Sequence, residues 1–460
     1  MFEDSQFKAG DQPIYRQIAD AIIAKISEGK LAPGDRLPPQ REIARMTGVN
    51  PTTVTRAFAS LQERGFVESR PGRGSIIADP SVTASFKSAP LDAPGFIDLS
   101  VNRPATTGYL QALATLLPQL PGDPRYAALQ DFHAPEGIGW AREAVANWLK
   151  PATGIDAPDQ IVITNGAQHG LACVLGAVAR PGEAILADAV TYQGIGALCR
   201  SLDLSLRPVA MDRAGMLPEA LEDMCAKHRP RAIFLVPTLH NPTTITLSAD
   251  RRQAIAAIAR KYDAKIVEDD VYRPLKPDAA PSFFASDPDI TVHITGLSKC
   301  VAPGLRMGAV LAPKRIVADI AAMLRINCWS TSPLKALVAT RLLEDGLVER
   351  IVAGQREEFR HRQAILKHAL SDFDVMTDDT STHAWLNLPE PWQASAFARA
   401  ASQSGVGVLA GEAFAVGRDM IPHAVRINVG AARSREDLRH ALDALRDILA
   451  GDRRLLDAMI

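Results

Sequence analysis

Lys299 and Arg306 are the two residues whose types and spacing point most directly to chemistry. Lys299 follows the β-branched run 290–295, so we expect it at the end of a buried strand, where its amine can enter a pocket. Arg306 comes after the turn-forming pair Pro303-Gly304 and can return to the same pocket. An amine can capture an aldehyde covalently, and a guanidinium can neutralise a phosphate. The pair suits pyridoxal phosphate, although two basic residues alone would equally fit a surface loop.

Further segments supply the other parts of such a site, in order along the chain. Each places a functional residue just after a predicted strand: Gly166 after 161–163, Tyr192 after 184–187, Asn241 after 233–237, and Asp269 after 264–268. Backbone N–H groups at a helix N-terminus, which is expected after Gly166, bind phosphate well. A buried carboxylate such as Asp269 needs a cation, which a protonated pyridine nitrogen would provide. Each segment alone fits an ordinary strand-end loop, but together they favour a cofactor site.

These segments resemble the cofactor-binding motifs of fold-type I aminotransferases, and the resemblance runs from about Asp98 to the C-terminus. It implies that Lys299 is the catalytic residue that binds the cofactor, that the phosphate is held by Gly166, Ala167, Gln168 and Arg306, and that Ser298 is a further cofactor-binding residue. It implies ring contacts from Tyr192 on the ring face, Asn241 and Tyr272 at the phenolic oxygen, and Asp269 at the pyridine nitrogen. Asp269 is preferred to Asp270 because only Asp269 keeps the family's spacing to Tyr272.

Arg426 is the candidate for binding the acid group of a ligand. It lies in the short predicted strand 424–429 and points opposite to its apolar neighbours. At the matching place, fold-type I aminotransferases hold the arginine that binds a substrate carboxylate as a bidentate pair. An arginine on an exposed strand face is the alternative. The resemblance implies a ligand with an amino group for the cofactor and an acidic group for Arg426, such as an amino acid, an ω-amino acid or an aminosulfonate.

Three positions depart from the aminotransferase pattern. Gly296 stands where a serine or threonine usually supports the phosphate, three residues before the lysine. Phe132 replaces a tyrosine that usually reaches the neighbouring subunit's phosphate, so that bond is absent unless Tyr126 takes its place. Thr244 replaces the glycine that usually follows Asn-Pro-Thr. We expect these changes to weaken phosphate binding and relax catalysis while cofactor binding is retained.

The first 78 residues predict a different kind of domain. Isoleucines recur every four residues from Ile14 to Ile26 and form one helical stripe. A short helix ends at Gly48, and Asn50 caps a further helix with an apolar face made of Val54, Ala57, Phe58 and Leu61. A hairpin with a Gly- and Arg-rich tip follows at 66–77. The pattern indicates a winged helix-turn-helix, whose second helix enters a major groove.

Local charge favours DNA as the partner of this domain. Residues 36–74 contain seven arginines and three acidic residues, whereas the whole chain has a net charge of -1. Such a local excess of arginine suits contact with phosphates. The alternative is a small solvated helical bundle packed on the larger domain. The residues expected to face the duplex are Arg41, Arg45, Thr52, Thr53, Arg56, Arg70 and Arg73.

Residues 13–77 resemble the winged helix-turn-helix of GntR-type regulators. The matching motifs are Ile14-Tyr15-Arg16-Gln17-Ile18, Pro33-Gly34-Asp35-Arg36-Leu37-Pro38, Gly48-Val49-Asn50 and Arg73-Gly74. Pro39 departs from the pattern, because the family usually has a serine there. Joined in this order, the two parts resemble the MocR subgroup of GntR-type regulators over nearly the whole chain. That resemblance implies a transcription factor that binds pyridoxal phosphate and forms a homodimer through its aminotransferase fold, with cofactor sites near the subunit boundary.

The expected fold is α/β, with a parallel-rich sheet covered by helices on both faces, because strands and helices alternate between 161 and 313. We predict four segments: a winged helix-turn-helix at 1–78, a linker at 79–96, a large pyridoxal-phosphate-binding domain at 97–329 and a small C-terminal α+β domain at 330–460. The small domain is expected to hold one long helix at 333–370 and short strands at 383–388 and 425–429.

Composition narrows the protein class. A hydrophobic content of 47% is ordinary for a globular protein. The five cysteines show no metal-ligand spacing, so no metal site is expected, and their odd number favours a reducing compartment. The first ten residues do not resemble a secretion signal, and no apolar run approaches the roughly 18 residues of a membrane helix. These features predict a cytoplasmic protein.

Two functions of different class remain open. The first is a DNA-binding transcriptional regulator that senses an amino acid or related amine through pyridoxal phosphate. The second is a working aminotransferase with an accessory DNA-binding domain. A regulator that responds to the vitamin itself is a further alternative. The winged segment favours the first function, whereas the set Lys299, Asp269, Tyr272 and Arg426 keeps the second open.

Overall fold

The computed structural model describes residues 13–27, 31, 35–63, 66–70, 74–77, 95–104, 107–417 and 422–457. The chain divides into two compact units, Met1–Pro90 and Leu91–Ile460. The predicted linker 79–96 lies outside the described residues except for its last two. No helix in these described ranges is long and apolar enough to cross a membrane.

Three helices and a hairpin form the N-terminal unit. The helices are α1 (Ile14–Ser27), α2 (Gln40–Thr47) and α3 (Pro51–Glu63), and strand β1 (Val67–Arg70) pairs antiparallel with β2 (Gly74–Ile77). Their buried faces form one core made of Ile18, Ile22, Ile43, Val54, Ala57, Phe58, Leu61, Val67 and Ile77. Gly48 ends α2 in the left-handed conformation, and Asn50 Oδ1 accepts the N–H of Thr52 at 3.0 Å at the start of α3. The predicted winged helix-turn-helix is confirmed.

A seven-stranded sheet forms the centre of the C-terminal unit, in the order β4-β12-β11-β10-β9-β5-β6. Its strands are β4 (Ile161–Thr164), β5 (Ala184–Asp188), β6 (Ser205–Val209), β9 (Ala232–Leu235), β10 (Lys265–Asp269), β11 (Thr291–Gly296) and β12 (Gly308–Leu311). β12 runs antiparallel to both its neighbours, and the others share one direction. Only residues 297–307 join β11 to β12, too few for the crossover that a parallel pair needs. The parallel-rich sheet is confirmed, with this one reversed strand.

Both faces of this sheet are buried. Ala232 and Phe234 of β9 belong to one apolar cluster, whereas Ile233 and Leu235 of the same strand belong to another. Successive side chains of a strand point to opposite faces, so each cluster covers one face. The helices of this region are α4 (Thr107–Leu116), α5 (Gly139–Thr153), α6 (Ala167–Val178), α7 (Gly194–Ser201), α8 (Pro218–His228), α9 (Ala249–Lys261), α10 (Phe283–Ser286) and α11 (Lys314–Cys328).

The C-terminal part is an antiparallel sheet with helices. Its elements are α12 (Pro333–Glu344), α13 (Leu347–Ala369), β13 (Val375–Met376), β14 (His383–Asn387), α14 (Ala394–Gln403), β15 (Val406–Gly407), β16 (Leu409–Ala410), β17 (Ala424–Asn428) and α15 (Arg435–Asp457). The sheet order is β13-β14-β17-β16, and β15 pairs in parallel with β3 (Ile97–Asp98). The prediction of one helix over 333–370 is wrong, because Gly346 adopts a left-handed φ of 63° and interrupts the helical hydrogen bonds.

Short elements complete the unit. β7 (Met211–Asp212) and β8 (Gly215–Met216) form a small hairpin. Short 3₁₀ segments occur at Leu117–Gly122, Tyr126–Gln130, Pro158–Gln160, Arg273–Leu275, Pro303–Leu305 and Gly411–Phe414. The turn Pro303–Leu305 is part of the connection that returns the chain from β11 to β12, and Arg306 follows it directly.

Candidate functional site

One cavity brings together all of the predicted cofactor residues except Gly166. It is lined by Ala167, Gln168, Tyr192, Asn241, Asp269, Tyr272, Ser298, Lys299 and Arg306, and by the unpredicted Val236, Val271 and Gly296. Most of these residues follow the last residues of β4, β5, β9, β10 and β11. The carboxyl ends of parallel strands meet at one edge of a sheet, which explains why segments far apart in sequence converge here.

One end of the cavity has the features of an anion site. Gly166 has a φ of 88° and precedes the first turn of α6, so the chain enters that helix with free backbone N–H groups. A Cβ added at Gly308 would lie 2.5 Å from the carbonyl carbon of Gly166 and 2.7 Å from the nitrogen of Ala167. Arg306 folds back so that its Nη2 donates to the carbonyl of Asn165 at 3.4 Å. The close approach of the two glycines holds the helix start and the guanidinium around one space.

Asp269 lies buried at the end of β10 and also lines the cavity. Its Oδ1 has no hydrogen-bond partner among the described residues. Burial, together with the adjacent carboxylate of Asp270, raises the pKa of Asp269 to about 7. A buried carboxylate in this state is stabilised by a positive charge brought beside it.

Tyr192 stands over the cavity with its hydroxyl fixed. The hydroxyl donates to Gln168 Oε1 at 2.7 Å, and burial raises the pKa of Tyr192 to about 12. A Cβ at Gly194 would lie only 2.5 Å from the ring, so the glycine makes room for the aromatic side chain. The ring can therefore offer one apolar face to a planar ligand.

Lys299 is a buried amine in a reactive state. Burial lowers the pKa of Lys299 to about 8, and the nearby positive charges of Arg426 and Arg306 act in the same direction. At pH 8 about half of such amines are neutral, compared with roughly 0.3% for a lysine of ordinary pKa. The Nζ donates to the backbone carbonyl of Asn102 at 2.7 Å. Lys299 has the character of a nucleophile rather than of a structural cation.

Arg426 is buried on β17 with 2% of its surface exposed, which contradicts the alternative of an exposed strand face. Its Nη1 donates to Asn241 Oδ1 at 2.9 Å, its Nη2 donates to the carbonyl of Ser100, and its guanidinium lies 5.0 Å from the ring of Phe414. Its Nε is buried without a hydrogen-bond partner in the described part of the chain. Since Asn241 accepts through Oδ1, its Nδ2 remains available as a donor.

Sequence reasoning missed Asn102, whose side chain makes three hydrogen bonds beside the cavity. Its Nδ2 donates to the hydroxyl of Tyr272 at 2.7 Å. Its Oδ1 accepts from Thr382 Oγ1 at 2.9 Å and from Asn428 Nδ2 at 3.0 Å. The only sequence signal is a polar residue shortly after the two-residue strand β3, and that signal is too weak to single out Asn102.

A buried charge network supports the strand that carries Asp269. Glu268 points to the opposite face of the sheet, where it accepts from Arg252 at 3.2 Å and contacts His293 Nδ1 at 3.0 Å. Asp270 accepts from Arg273 Nε at 2.8 Å. Glu268, Asp270 and His293 lie close enough to share an ion, but the two guanidinium groups already pair with these carboxylates. We therefore read the network as structural support for Asp269.

The positions that depart from the aminotransferase pattern have distinct surroundings. Phe132 is 88% exposed, with its ring edge-on to Trp329 at 5.9 Å, and Tyr126 is also exposed. Neither residue lines the cavity of its own chain. Thr244 adopts a φ of 66°, which is rare for a β-branched residue. The backbone thus keeps a conformation that glycine adopts easily, although a threonine occupies the position.

Most of the predicted DNA-facing residues of the N-terminal unit are exposed. Arg41, Arg45, Thr52 and Arg56 are exposed, and Thr53 is half-buried. Thr55 Oγ1 donates to Gln40 Oε1 at 2.9 Å, which holds the N-terminal ends of α2 and α3 together. The guanidinium of Arg56 lies 4.4 Å from the ring of Tyr15. The side chain of Arg70 and the whole of Arg73 lie outside the described residues.

The fold and the order of the two units define the class of this protein: a winged helix-turn-helix joined to an aminotransferase-like domain. Residues 95–445 match the family model of aminotransferase class I and II, and residues 14–77 match that of the gntR family of bacterial regulatory proteins. The chain belongs to the aminotransferase class I and II family and carries a gntR-family domain, the combination of the MocR subgroup predicted from its sequence.

Relatives with the same organisation span nearly the whole chain. The uncharacterized HTH-type transcriptional regulator YdeF of Bacillus subtilis is 28% identical over 95% of both chains. The vitamin B6 salvage pathway transcriptional repressor PtsJ of Salmonella typhimurium is 29% identical and covers 91% of this chain and 95% of its own length. Among solved structures, the multiple substrate aminotransferase of Thermococcus profundus aligns with a TM-score of 0.73 and 22% identity, covering 79% of this chain and 93% of that one. That likeness shows the fold alone.

Proposed function

We propose that this transcriptional regulator binds pyridoxal phosphate through Lys299 and changes its affinity for DNA when an amine or amino acid reacts with the bound cofactor. The observation that carries the proposal is the cavity itself. It combines a buried lysine with a pKa of about 8, an unpartnered buried carboxylate and a helix start beside an arginine. These groups belong to a chain whose other unit has a DNA-binding fold.

Three features of the cavity fit three groups of this cofactor. The neutral amine of Lys299 fits an aldehyde. The glycine-rich start of α6 with Arg306 fits a phosphate. The unpartnered Oδ1 of Asp269 fits a protonated ring nitrogen. When bound, the cofactor supplies an electron sink and a carbon atom at which one amine can replace another.

Each residue has a proposed task towards that group. The N–H groups of Gly166, Ala167 and Gln168 would bind the phosphate together with Ser298 and Arg306. Tyr192 would cover one ring face, and Asp269 would keep the proton on the ring nitrogen. Asn241 Nδ2 and the hydroxyl of Tyr272 would donate to the phenolic oxygen. Burial raises the pKa of Tyr272, which keeps that hydroxyl protonated as a donor.

Arg426 gives the ligand its second recognition element. Its only hydrogen bonds among the described residues go to two neutral oxygens, those of Asn241 and Ser100. A carboxylate or sulfonate forms stronger, charge-assisted bonds with a guanidinium than such oxygens do. We therefore propose an effector that carries both an amine and an acid group.

The proposed active species is a homodimer on DNA. Several large apolar side chains of the C-terminal unit are exposed, among them Phe132 at 88% and Ile326 at 78%. Exposed apolar surface of this kind is typical of an interface. A twofold dimer would present two winged domains, whose recognition helices would read two half-sites through Arg41, Arg45, Thr52, Thr53, Arg56, Arg70 and Arg73.

A second candidate function is turnover as an aminotransferase. The observation that favours it is that Lys299, Asp269 and Tyr272 line one cavity, and that Arg426 bonds Asn241, which also lines it. A regulator needs only the exchange of amines, whereas an enzyme must also complete the transfer to a 2-oxo acid. The two functions therefore differ in a measurable product.

The test uses the full-length protein and duplexes that it selects from a randomised DNA pool. Purified protein is loaded with pyridoxal phosphate, and the absorbance of the linked cofactor is followed during titration with L-amino acids, β-alanine and taurine. We expect at least one of these to change both the absorbance and the DNA affinity. Conversion of many equivalents of a 2-oxo acid per protein molecule would instead establish the aminotransferase activity.

Two lysine variants make this test specific. Lys299→Ala should abolish the covalent link after borohydride reduction and mass analysis. Lys335→Ala is the matched control, because burial also lowers the pKa of Lys335 to about 8 while its amine donates to Asn165. A covalent link that survives in Lys299→Ala, or is lost only in Lys335→Ala, would overturn the assignment.

A further inference from the structure

The backbone segment 98–103, which we call the strap, contacts both groups that the proposed effector would use. The carbonyl of Asn102 accepts from Lys299 Nζ at 2.7 Å, and the carbonyl of Ser100 accepts from Arg426 Nη2. Only Val101 separates these two residues. The strap therefore touches the covalent site and the acid-binding site at the same time.

The side chain of Asn102 ties the strap to elements far apart in sequence. It donates to Tyr272, which follows β10 of the central sheet. It accepts from Thr382, directly before β14, and from Asn428 on β17. The backbone N–H of Asn428 also donates to the carbonyl of Leu99 at 2.8 Å. A carboxamide suits this place, because it can donate on one side and accept twice on the other.

The bond between Lys299 and Asn102 depends on the covalent state of the lysine. If a ligand amine took the place of Lys299 on the bound cofactor, its nitrogen would bond to the cofactor carbon as the bond to Nζ breaks. The two protons of the ligand amine would pass to Nζ, and Lys299 would be released as a free amine. Only this free amine has protons to spare for the carbonyl of Asn102, so ligand exchange restores that bond.

The bond between Arg426 and Ser100 responds in the opposite direction. An acid group that binds Arg426 replaces the neutral carbonyl of Ser100, since a charge-assisted pair is the stronger one. A ligand with both groups thus makes one contact of the strap and breaks another two residues away. A ligand with an amine alone makes the first change without the second.

The N-terminal end of the strap lies near the start of the C-terminal unit in sequence. The strap begins in β3, which pairs with β15. The N–H of Ile97 donates to the carbonyl of Gly405, and the N–H of Leu99 donates to the carbonyl of Gly407, at 2.8 Å each. The residues before β3 are those that connect the two units. A change in the position of the strap therefore acts close to the point where the chain enters the C-terminal unit.

We propose that Asn102 is the positioning residue that links the ligand state of Lys299 and Arg426 to DNA binding through this strap. The inference rests on the proposed function, because it requires a cofactor on Lys299 and an effector with an acid group. It adds the element that carries the regulation and the residue that sets its position.

The test compares Asn102→Ala with Asn387→Ala in full-length protein loaded with the cofactor. Asn387 is a control of the same residue type, because among the described residues its side chain bonds only Asp374, at the surface. The ligand is L-alanine, or the member of the amino-acid panel with the largest effect, and its amine without the acid group, which for L-alanine is ethylamine. The readout is the ratio of DNA dissociation constants without and with ligand.

We expect a wild-type ratio on the order of 5- to 150-fold, the usual range of coupling between two sites. Asn387→Ala should keep this ratio. Asn102→Ala should still link the cofactor, with a shifted pH profile because Tyr272 loses its partner, but its ratio should fall to about one. Ethylamine should give a smaller ratio than L-alanine in the wild type.

Hydrogen exchange provides a second readout. In the wild type, amides of 98–103 should change protection when ligand is added, and in Asn102→Ala they should not. A wild-type ratio in Asn102→Ala, or unchanged protection of the wild-type strap, overturns the inference. If Asn102→Ala does not hold the cofactor, Thr382→Val takes its place, and an unchanged ratio there is equally decisive. If no ligand changes the DNA affinity of the wild type, the proposed function is rejected instead.

Discussion

Replacing Asp269 by asparagine is expected to stabilise the cofactor-free protein and to weaken cofactor binding. Burial, followed by the neighbouring Asp270, raises the pKa of Asp269 from 3.8 to about 7. The folded state therefore holds the proton more tightly than the unfolded state does. Stability from this group is lost as the pH rises from about 4 to about 7, because the fold must then contain an unpaired carboxylate.

The size of the effect follows from the shift. One pKa unit corresponds to about 1.4 kcal/mol, so a shift of about three units amounts to roughly 4 kcal/mol above pH 7. Asparagine has nearly the same shape and does not ionise. Asp269→Asn should therefore be more stable than the wild type by about 2–4 kcal/mol at pH 8, and by less than about 1 kcal/mol at pH 4.

Urea unfolding, monitored by tryptophan fluorescence, measures this difference in the free energy of unfolding of the C-terminal unit. All five tryptophans, at positions 140, 148, 329, 385 and 392, lie in the C-terminal unit. With an m-value of a few kcal/mol/M, the midpoint should rise by about 1 M at pH 8. Asp289→Asn is the control, because that side chain is 93% exposed and its removal should not change the midpoint.

The same substitution, Asp269→Asn, should weaken cofactor binding although it stabilises the cofactor-free protein. With the ring nitrogen beside it, the ionised Asp269 gains a charged hydrogen bond worth about 1.5–3 kcal/mol, so the variant should bind the cofactor roughly 10- to 150-fold more weakly. A variant that is no more stable at pH 8, or whose stability gain does not depend on pH, would refute the linkage argument. A more stable variant with undiminished cofactor affinity would refute the role of Asp269 at the ring.

Three further results are expected. Gly308→Ala should lower cofactor affinity by at least about 100-fold in a spectroscopic titration, because its Cβ would displace the backbone at Gly166 and with it the anion site. The rate of cofactor capture should rise with pH and be half-maximal near 8, because burial lowers the pKa of Lys299 to about that value; a midpoint near 10 would contradict this. Arg56→Ala should weaken operator binding by about 1–3 kcal/mol if it reads a guanine, and unchanged affinity in alanine variants of Arg41, Thr52 and Arg56 would argue against this surface.

Most parts of the cavity that could be predicted share one property: they lie just after a buried strand, whereas Arg306 follows a turn. Strand ends are visible in sequence as apolar runs that stop at a polar or glycine residue, as at Gly166 and Lys299. Parallel strands then bring such ends to the same edge without any need to know the loops. The helix-turn-helix was predictable for a similar reason, since Gly48 and Asn50 mark the two ends of its turn.

Other features depend on information that local sequence does not carry. The run 308–311 reads as a buried strand in either direction, and only the short connection from β11 reveals that β12 is antiparallel. Gly346 could have been tolerated inside a helix, and the left-handed turn there depends on the packing of α12 against α13. Asn102 bonds Tyr272 across 170 residues of chain, so no periodicity could have indicated the contact.

The bond between Asn241 and Arg426 would make the proposed acid-binding site and the proposed cofactor site interdependent. Asn241 Oδ1 accepts from the guanidinium, which orients its Nδ2 as a donor for the phenolic oxygen of the proposed cofactor. An acid group that draws Arg426 towards itself competes for the same guanidinium and weakens the restraint on Asn241. By thermodynamic linkage, the bound cofactor would change the affinity of Arg426 for the acid group by the same factor as the acid group changes the affinity for the cofactor. A single amide thus couples the two sites before any motion of the strap, which suits a protein that reports on its ligand.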